Sequence, residues 1–214
     1  YKIPVVIVNA RLSPHSFNRY MKFKWIVKIL LNKITKVMAQ SQADGERFLQ
    51  LELQPKELEI EETGTTFLEN ACLKASAVAK ALNLWAIADD SGLAIEALNG
   101  SPGVYSARYG KTNEERINRV LKELENNPNR KAKFMCVIAI SNPQGDIMLT
   151  TEGTCEGEIL TEIKGEGGFG YDPIFYLPEK SLTFAQMSLA EKQKISHRGK
   201  AFQALIPQLK NLKI

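Results

Sequence analysis

The chain has 214 residues, 44% hydrophobic and 24% charged, a globular composition with room for one large α/β domain or one domain plus an appendage, but not for two full-sized domains. Disorder, collagen and coiled coil are excluded as overall descriptions, and no apolar run approaches the ~20 residues needed to span a bilayer. The net charge of +4 is uneven, with nine Lys/Arg against three Asp/Glu in residues 1–52 and 19 against 21 in the remainder, and no basic stripe interleaved with aromatics marks a nucleic-acid partner.

The first segment predicts a short strand at Pro4 to Val8, an amphipathic basic helix from Met21 to Ile34, a second strand at Lys36 to Ala39 and a short helix from Ala43 to Leu51, a β-α-β-α order. Composition changes between Leu53 and Glu62, where Pro55 and a run of Glu appear. That change places a boundary between an N-terminal segment, 1–54, and a main domain, 55–214. Thr66 with Glu69 forms a capping box, and Leu68, Ala71, Cys72, Ala75, Val78, Ala79 and Leu82 then fall on one helical face. Trp85 to Ala88 reads as a buried strand ending in Asp89-Asp90-Ser91-Gly92. A charged helix is expected over Asn113 to Asn126. Phe134 to Ser141 and the stretch from Ile147 onward read as paired strands about an Asn142-Pro143-Gln144-Gly145 turn. After a Gly-rich loop at Gly165 to Gly170 comes a helix near Arg198 to Leu212, which Pro207 should kink. The expected fold class is therefore α/β, a mixed central sheet flanked by helices, with an atypical N-terminal β-α-β-α segment. Cys72, Cys136 and Cys155, odd in number and widely spaced, form neither a zinc cluster nor a disulfide scaffold and point to a reducing cytoplasm.

Three stretches could carry chemistry. Asp89-Asp90-Ser91-Gly92 would put two carboxylates at a strand end, a setting that suits a hard cation such as Mg²⁺; taken alone, it reads more readily as an exposed acidic turn. Gly165 to Pro173 has four glycines that let backbone approach a ligand, with Phe169 and Tyr171 offering ring faces to a purine; a Gly-rich hairpin connection is the equal alternative. It is not a P-loop, since no Gly-Lys-Ser/Thr follows. Ser196-His197-Arg198 can donate several hydrogen bonds to carbonyl oxygens, or can simply cap a helix. Lys74 and Lys192 are by themselves ordinary surface lysines.

In combination these stretches resemble the inosine/xanthosine triphosphate pyrophosphatase family. The resemblance rests on Glu61-Glu62-Thr63-Gly64-Thr65-Thr66-Phe67, Glu69-Asn70-Ala71, Lys74, Ala88 to Leu93, Gly103 to Tyr109, Glu152 to Gly157, Gly165 to Pro173 and Ile195 to Gly199, in order over residues 59–212. It implies Mg²⁺-dependent hydrolysis of deaminated purine nucleoside triphosphates (ITP, dITP, XTP) to monophosphate and pyrophosphate, in a cytoplasmic homodimer with no nucleic-acid or membrane partner. Carried over residue by residue, it makes Glu62 and Asp90 the Mg²⁺ ligands, Asp90 also the base for the attacking water, and Ser91 a substrate contact. Lys74 and Lys192 would bind phosphates. Phe169, Gly170, Tyr171 and Asp172 would wall the base pocket, with His197 and Arg198 sensing the 6-oxo group.

The N-terminus departs from that pattern. The family's opening strand and Thr-Gly-Asn-x-x-Lys turn are absent. Pro4 to Ser13, Tyr20 and Ala39 to Phe48 instead resemble an internal stretch of the bacterial Kdo transferases that build the lipopolysaccharide inner core. A join near residues 52–58 is implied. The competing expectations are a catalytically impaired chimera, or a glycosyltransferase remnant held at a membrane surface by the basic helix bearing Lys22, Lys24, Lys28 and Lys33.

Overall fold

The computed structural model describes residues 5–10, 34–39, 46, 60–210 and 212, and the chain divides into two compact units, Tyr1–Glu61 and Glu62–Ile214. In the first, β1 (Val5–Ala10) and β2 (Ile34–Ala39) pair in parallel, with register shifts between Val5 and Val6 and between Ile7 and Ala10. The helices expected at Met21 to Ile34 and Ala43 to Leu51 lie outside the described residues, apart from Ile34, which opens β2, and Glu46, which is helical.

In the second unit, α1 (Phe67–Leu82) begins where the sequence places its cap. The Thr66 side chain accepts from the Glu69 amide and the Glu69 carboxylate reaches back to the Thr66 amide, while Asn83 ends the helix in the left-handed conformation at φ 54°. Then follow β3 (Ala86–Ile95), α2 (Asn113–Glu123), β4 (Lys131–Ser141), β5 (Ile147–Ile159), β6 (Phe175–Leu177), β7 (Leu182–Thr183), α3 (Leu189–Ile195) and α4 (His197–Leu209). Parallel and antiparallel pairing occur in separate sheets: β3-β4-β5-β6-β7 is antiparallel throughout.

Because successive strand residues face opposite sides, β4 serves two cores. Val137 and Ala139 pack with Phe67, Ala71 and Ala75 of α1, whereas Cys136, Ile138 and Ile140 pack with Ala201 and Leu205 of α4. The helices therefore cover opposite faces of the sheet. A third core gathers Phe134, Phe175 and Phe184 with Leu93, Ile95, Ile117 and Val120, each contributing on the order of 1.5–3 kcal/mol by burial. Gly153 on β5 lets α4 sit this close, since a β-carbon there would strike the His197 carbonyl and the Ala201 amide.

The structure corrects the expected end of β3. Asp89-Asp90-Ser91-Gly92 is not a turn after the strand but its middle, paired residue for residue with Ile138, Val137, Cys136 and Met135. Gly92 stays in the strand for packing reasons: a β-carbon would run into the Ser106 hydroxyl and the Gly103 carbonyl. Helix α4 likewise runs through Pro207 to Leu209.

Candidate active site

Acid and amine groups meet where α1 packs on β3. Asn70 and Lys74, one turn apart on α1, both face Asp90: Asn70 donates to Asp90 Oδ2 at 3.3 Å, and Lys74 Nζ donates to Asp90 Oδ1 at 2.7 Å and to Glu62 Oε1 at 3.0 Å. Asn70 also accepts from the Gly64 amide at 2.9 Å, tying the 62–66 stretch to the same helix face. Gly64 is small by necessity, since a β-carbon would lie 2.6 Å from Asn70 Oδ1. Arg108 adds a second cation, its Nη2 3.6 Å from Glu62 Oε2.

Lys74 is only 5% exposed, so losing its charge would leave buried carboxylate charge uncompensated, a far larger cost than breaking a surface ion pair. Burial, the largest single influence, pulls the ammonium's pKa down, but the carboxylates of Asp90 and Glu62 together outweigh it and leave the pKa above its ordinary value. Burial raises the pKa of Asp90, with Lys74 working in the opposite direction.

These residues also fit a divalent cation. Two carboxylates converge on one cationic point, here the Lys74 ammonium, and Mg²⁺ needs only one or two carboxylates when water and phosphate oxygens complete its shell. Among the described residues no group of three or more His, Cys, Asp or Glu is placed to hold a metal, so the set suits an ion shared with a ligand.

On the other face of the same strand, Asp89 and Ser91 meet the first turn of α4. Arg198 Nε donates to Asp89 Oδ2 at 3.2 Å and its Nη2 to Ser91 Oγ at 3.1 Å. The Arg198 guanidinium lies 5.7 Å from the ring centre of Phe169, and Lys192 Nζ lies 4.9 Å from that same ring. Phe169 is 61% exposed, an open aromatic plate edged by two cations.

The loop holding Phe169 is shaped by Asp172, which is buried and accepts from the Phe169 amide at 2.7 Å and from Lys192 Nζ. Gly168, at φ +74°, makes the turn possible, because its missing side chain leaves room for the Asp172 carboxylate. Asp172 therefore holds the plate in place. Tyr171, expected to offer a ring face, is 4% exposed and donates to the Ser106 carbonyl at 2.9 Å; it anchors the loop, and burial pushes its pKa up. Gly170 follows Phe169 at φ +61°.

His197 is 6% exposed, its ring stacked on Phe134 at 4.7 Å and 11°, and its Nδ1 has no hydrogen-bond partner. Burial, with help from Arg198 and Lys192, lowers its pKa to about 3, so the ring is neutral near pH 7 with one donor and one acceptor nitrogen.

The structure thus brings Glu62, Lys74 and Asp90 together on one face of β3, and Ser91, Arg198, Phe169 and Lys192 on the other. Sequence reasoning gave no role to Asn70, and it counted Asp89 only with Asp90 as a carboxylate suited to a hard cation. A polar pair four apart on an apolar helix face was the available signal for Asn70; nothing local signals the pairing of Asp89 with Arg198, 109 positions away. A cleft of about 1150 Å³ lined by Lys131, Lys133, Glu156, Lys180 and Lys200 contains none of these site residues.

The sequence profile of the Ham1 family matches residues 28–208. The chain belongs to that family. It is 65% identical over 160 residues to a dITP/XTP pyrophosphatase of Nostoc sp., covering 75% of this chain and 82% of the relative, and 62% identical over 164 residues to a dITP/XTP pyrophosphatase of Synechocystis sp., covering 77% and 84%. The solved structure of the Staphylococcus aureus Ham1 protein superposes with a TM-score of 0.72 at 39% identity, over 96% of this chain and 98% of the other. The profile match begins at residue 28, inside the N-terminal segment 1–54. No helix among the described residues is long and apolar enough to cross a membrane.

Proposed function

We propose that this Ham1 family member is a nucleoside triphosphate pyrophosphatase that cleanses the cytoplasmic nucleotide pool, hydrolysing ITP, dITP and XTP to the monophosphate and pyrophosphate. One observation carries the reading: three consecutive residues of one strand join a carboxylate-and-ammonium cluster on one side to an exposed aromatic plate and guanidinium on the other. A triphosphate with an attached purine has that polarity.

Glu62 and Asp90 would hold Mg²⁺, which when bound neutralises phosphate charge and orients the α-phosphate. Lys74 and Lys192 bind phosphate oxygens, adding fixed positive charge where negative charge develops. Asp90 accepts the proton of the water that attacks the α-phosphorus; a P–O bond forms to water and the bond to the bridging oxygen breaks, so pyrophosphate leaves. Phe169 stacks on the purine, with Gly170 leaving its backbone open to the ligand, while Tyr171 and Asp172 fix the loop from beneath. Arg198 and His197 donate to the 6-oxo oxygen. ATP presents an amino group there, leaving donors that the base covers unpaired, a mismatch worth ~1–3 kcal/mol.

Homodimerisation belongs to the same reading and is checked by sedimentation. So does an appended N-terminal segment of Kdo-transferase type, residues 1–54. It brings no Thr-Gly-Asn-x-x-Lys turn, so the KM for ITP should be about tenfold or more above that of relatives that carry the turn. The chemistry is tested by hydrolysis in ¹⁸O-labelled water. The proposal expects the label in inosine monophosphate; label in pyrophosphate or in inorganic phosphate overturns it.

A further inference from the structure

The Asp89-Asp90-Ser91 triplet is divided by strand geometry. Asp90 turns to α1, where it meets Lys74 and Asn70, whereas Asp89 and Ser91 turn to α4 and both receive hydrogen bonds from Arg198. Asp89 has no role in metal, phosphate or water chemistry as derived above. We infer that Asp89 is the positioning residue for Arg198, fixing the guanidinium beside Phe169 so that the site distinguishes 6-oxo from 6-amino purines. The inference rests on the base-sensing role of Arg198 given under the proposed function.

The alternative is that the Asp89–Arg198 pair merely stabilises the fold, and its exposure argues against that. Their side chains are 39% and 44% accessible, the range in which an ion pair adds little to stability. What the pair does supply is order. Arginine has many rotamers, and an unrestrained one must lose that freedom when a ligand binds. Here the Nε–Asp89 and Nη2–Ser91 bonds lock the plane and the Phe169 ring flanks it at 5.7 Å. A guanidinium carries five N–H donors and these bonds use only part of the fork, so donors remain for a carbonyl oxygen on a base. Asp89 is itself fixed: it is paired in register with Ile138, and the Cys136 thiol lies 3.9 Å from its Oδ2. Asp89 also lowers the desolvation penalty of the fork when a base covers it, because its own charge stays paired with Arg198.

The test is equilibrium binding of the non-hydrolysable α,β-imido analogues of ITP and ATP by calorimetry with Mg²⁺, read as the ratio of the two dissociation constants, in the parent, Asp89→Ala, Arg198→Ala and the double variant. Asp89→Ala should narrow the preference for ITP about fivefold to tenfold, the scale of one ordinary net hydrogen bond. Asp89→Asn, which keeps an acceptor oxygen in place, should lose less. In the Arg198→Ala background, Asp89→Ala should change the ratio by less than about twofold, because the two act as one unit. An undiminished preference in Asp89→Ala overturns the inference, as does a loss that persists without Arg198. An equal loss for both nucleotides with a shifted Mg²⁺ requirement also overturns it, since that would place Asp89 at the metal. Failure of the hydrolytic reading would look different: the parent would bind ITP selectively without turning it over. A parent that binds ITP and ATP equally contradicts base sensing by Arg198, and this inference with it.

Discussion

Lys74→Met removes the cation between two carboxylates while keeping most of the side-chain volume. Lys74 is 5% exposed and bonds Asp90 at 2.7 Å and Glu62 at 3.0 Å. Removing one partner of a buried pair costs ~3–5 kcal/mol, because the remaining charge is left without compensation. Glu62 keeps 25% side-chain accessibility and can turn to water, so the lower end, about 3 kcal/mol, applies. For a chain of this size that lowers Tm by roughly 6–12 °C. The deficit has a sign in pH. Without Lys74 the already raised pKa of Asp90 rises further, the native state then binds its proton more tightly than the unfolded chain, and acidification shrinks the deficit. A divalent cation replaces the lost charge. Saturation to ~100-fold above Kd returns about 2.7 kcal/mol, more than in the parent, where the ammonium must first leave. Thermal melts at pH 8 and pH 5, in EDTA and in Mg²⁺, measure all three effects. A loss below about 1 kcal/mol in EDTA, or one that Mg²⁺ leaves untouched, would refute a shared cation site.

Three further outcomes follow from the geometry. His197, with a native pKa of about 3 against an ordinary 6.5, binds fewer protons folded than unfolded, so stability falls as pH drops below 6.5. Between pH 7.5 and pH 5 the loss is about 2 kcal/mol, and His197→Phe should remove that part of the slope in urea titrations; an unchanged slope would contradict a neutral buried ring. Gly153→Ala puts a methyl group into the α4 backbone and should cost about 2–3 kcal/mol, and a denaturation midpoint like the parent's would show that α4 can shift freely. Asp90→Asn should lower kcat for ITP by at least ~10² with the fold intact by circular dichroism; parent-like turnover at saturating Mg²⁺ would remove Asp90 from the role of base.

Local signals were readable and long-range ones were not. Thr66 and Glu69 mark the start of α1 because capping is a contact between residues three apart. The β4–β5 hairpin shows itself in an apolar run followed by a turn. Asp89 to Gly92 looked like a turn because Asp and Gly favour turns in isolation. Ten paired positions along β4 outweigh that preference, and Gly92 is there to admit Ser106. The candidate site was legible as a set of motifs but not as an arrangement. That Asp172 holds Lys192, 20 positions on, or that Tyr171 is an anchor on Ser106, 65 positions back, and not a stacking ring, depends on packing between separate segments.

The central claim is that the two faces of β3 together bind and cleave a deaminated purine triphosphate. It is tested most directly by pyrophosphate release from ITP, XTP and ATP, each with and without Mg²⁺. The account predicts Mg²⁺-dependent pyrophosphate and monophosphate from ITP and XTP in equal amounts, with ATP a much poorer substrate. Equal turnover of all three, or release of inorganic phosphate in place of pyrophosphate, would contradict it.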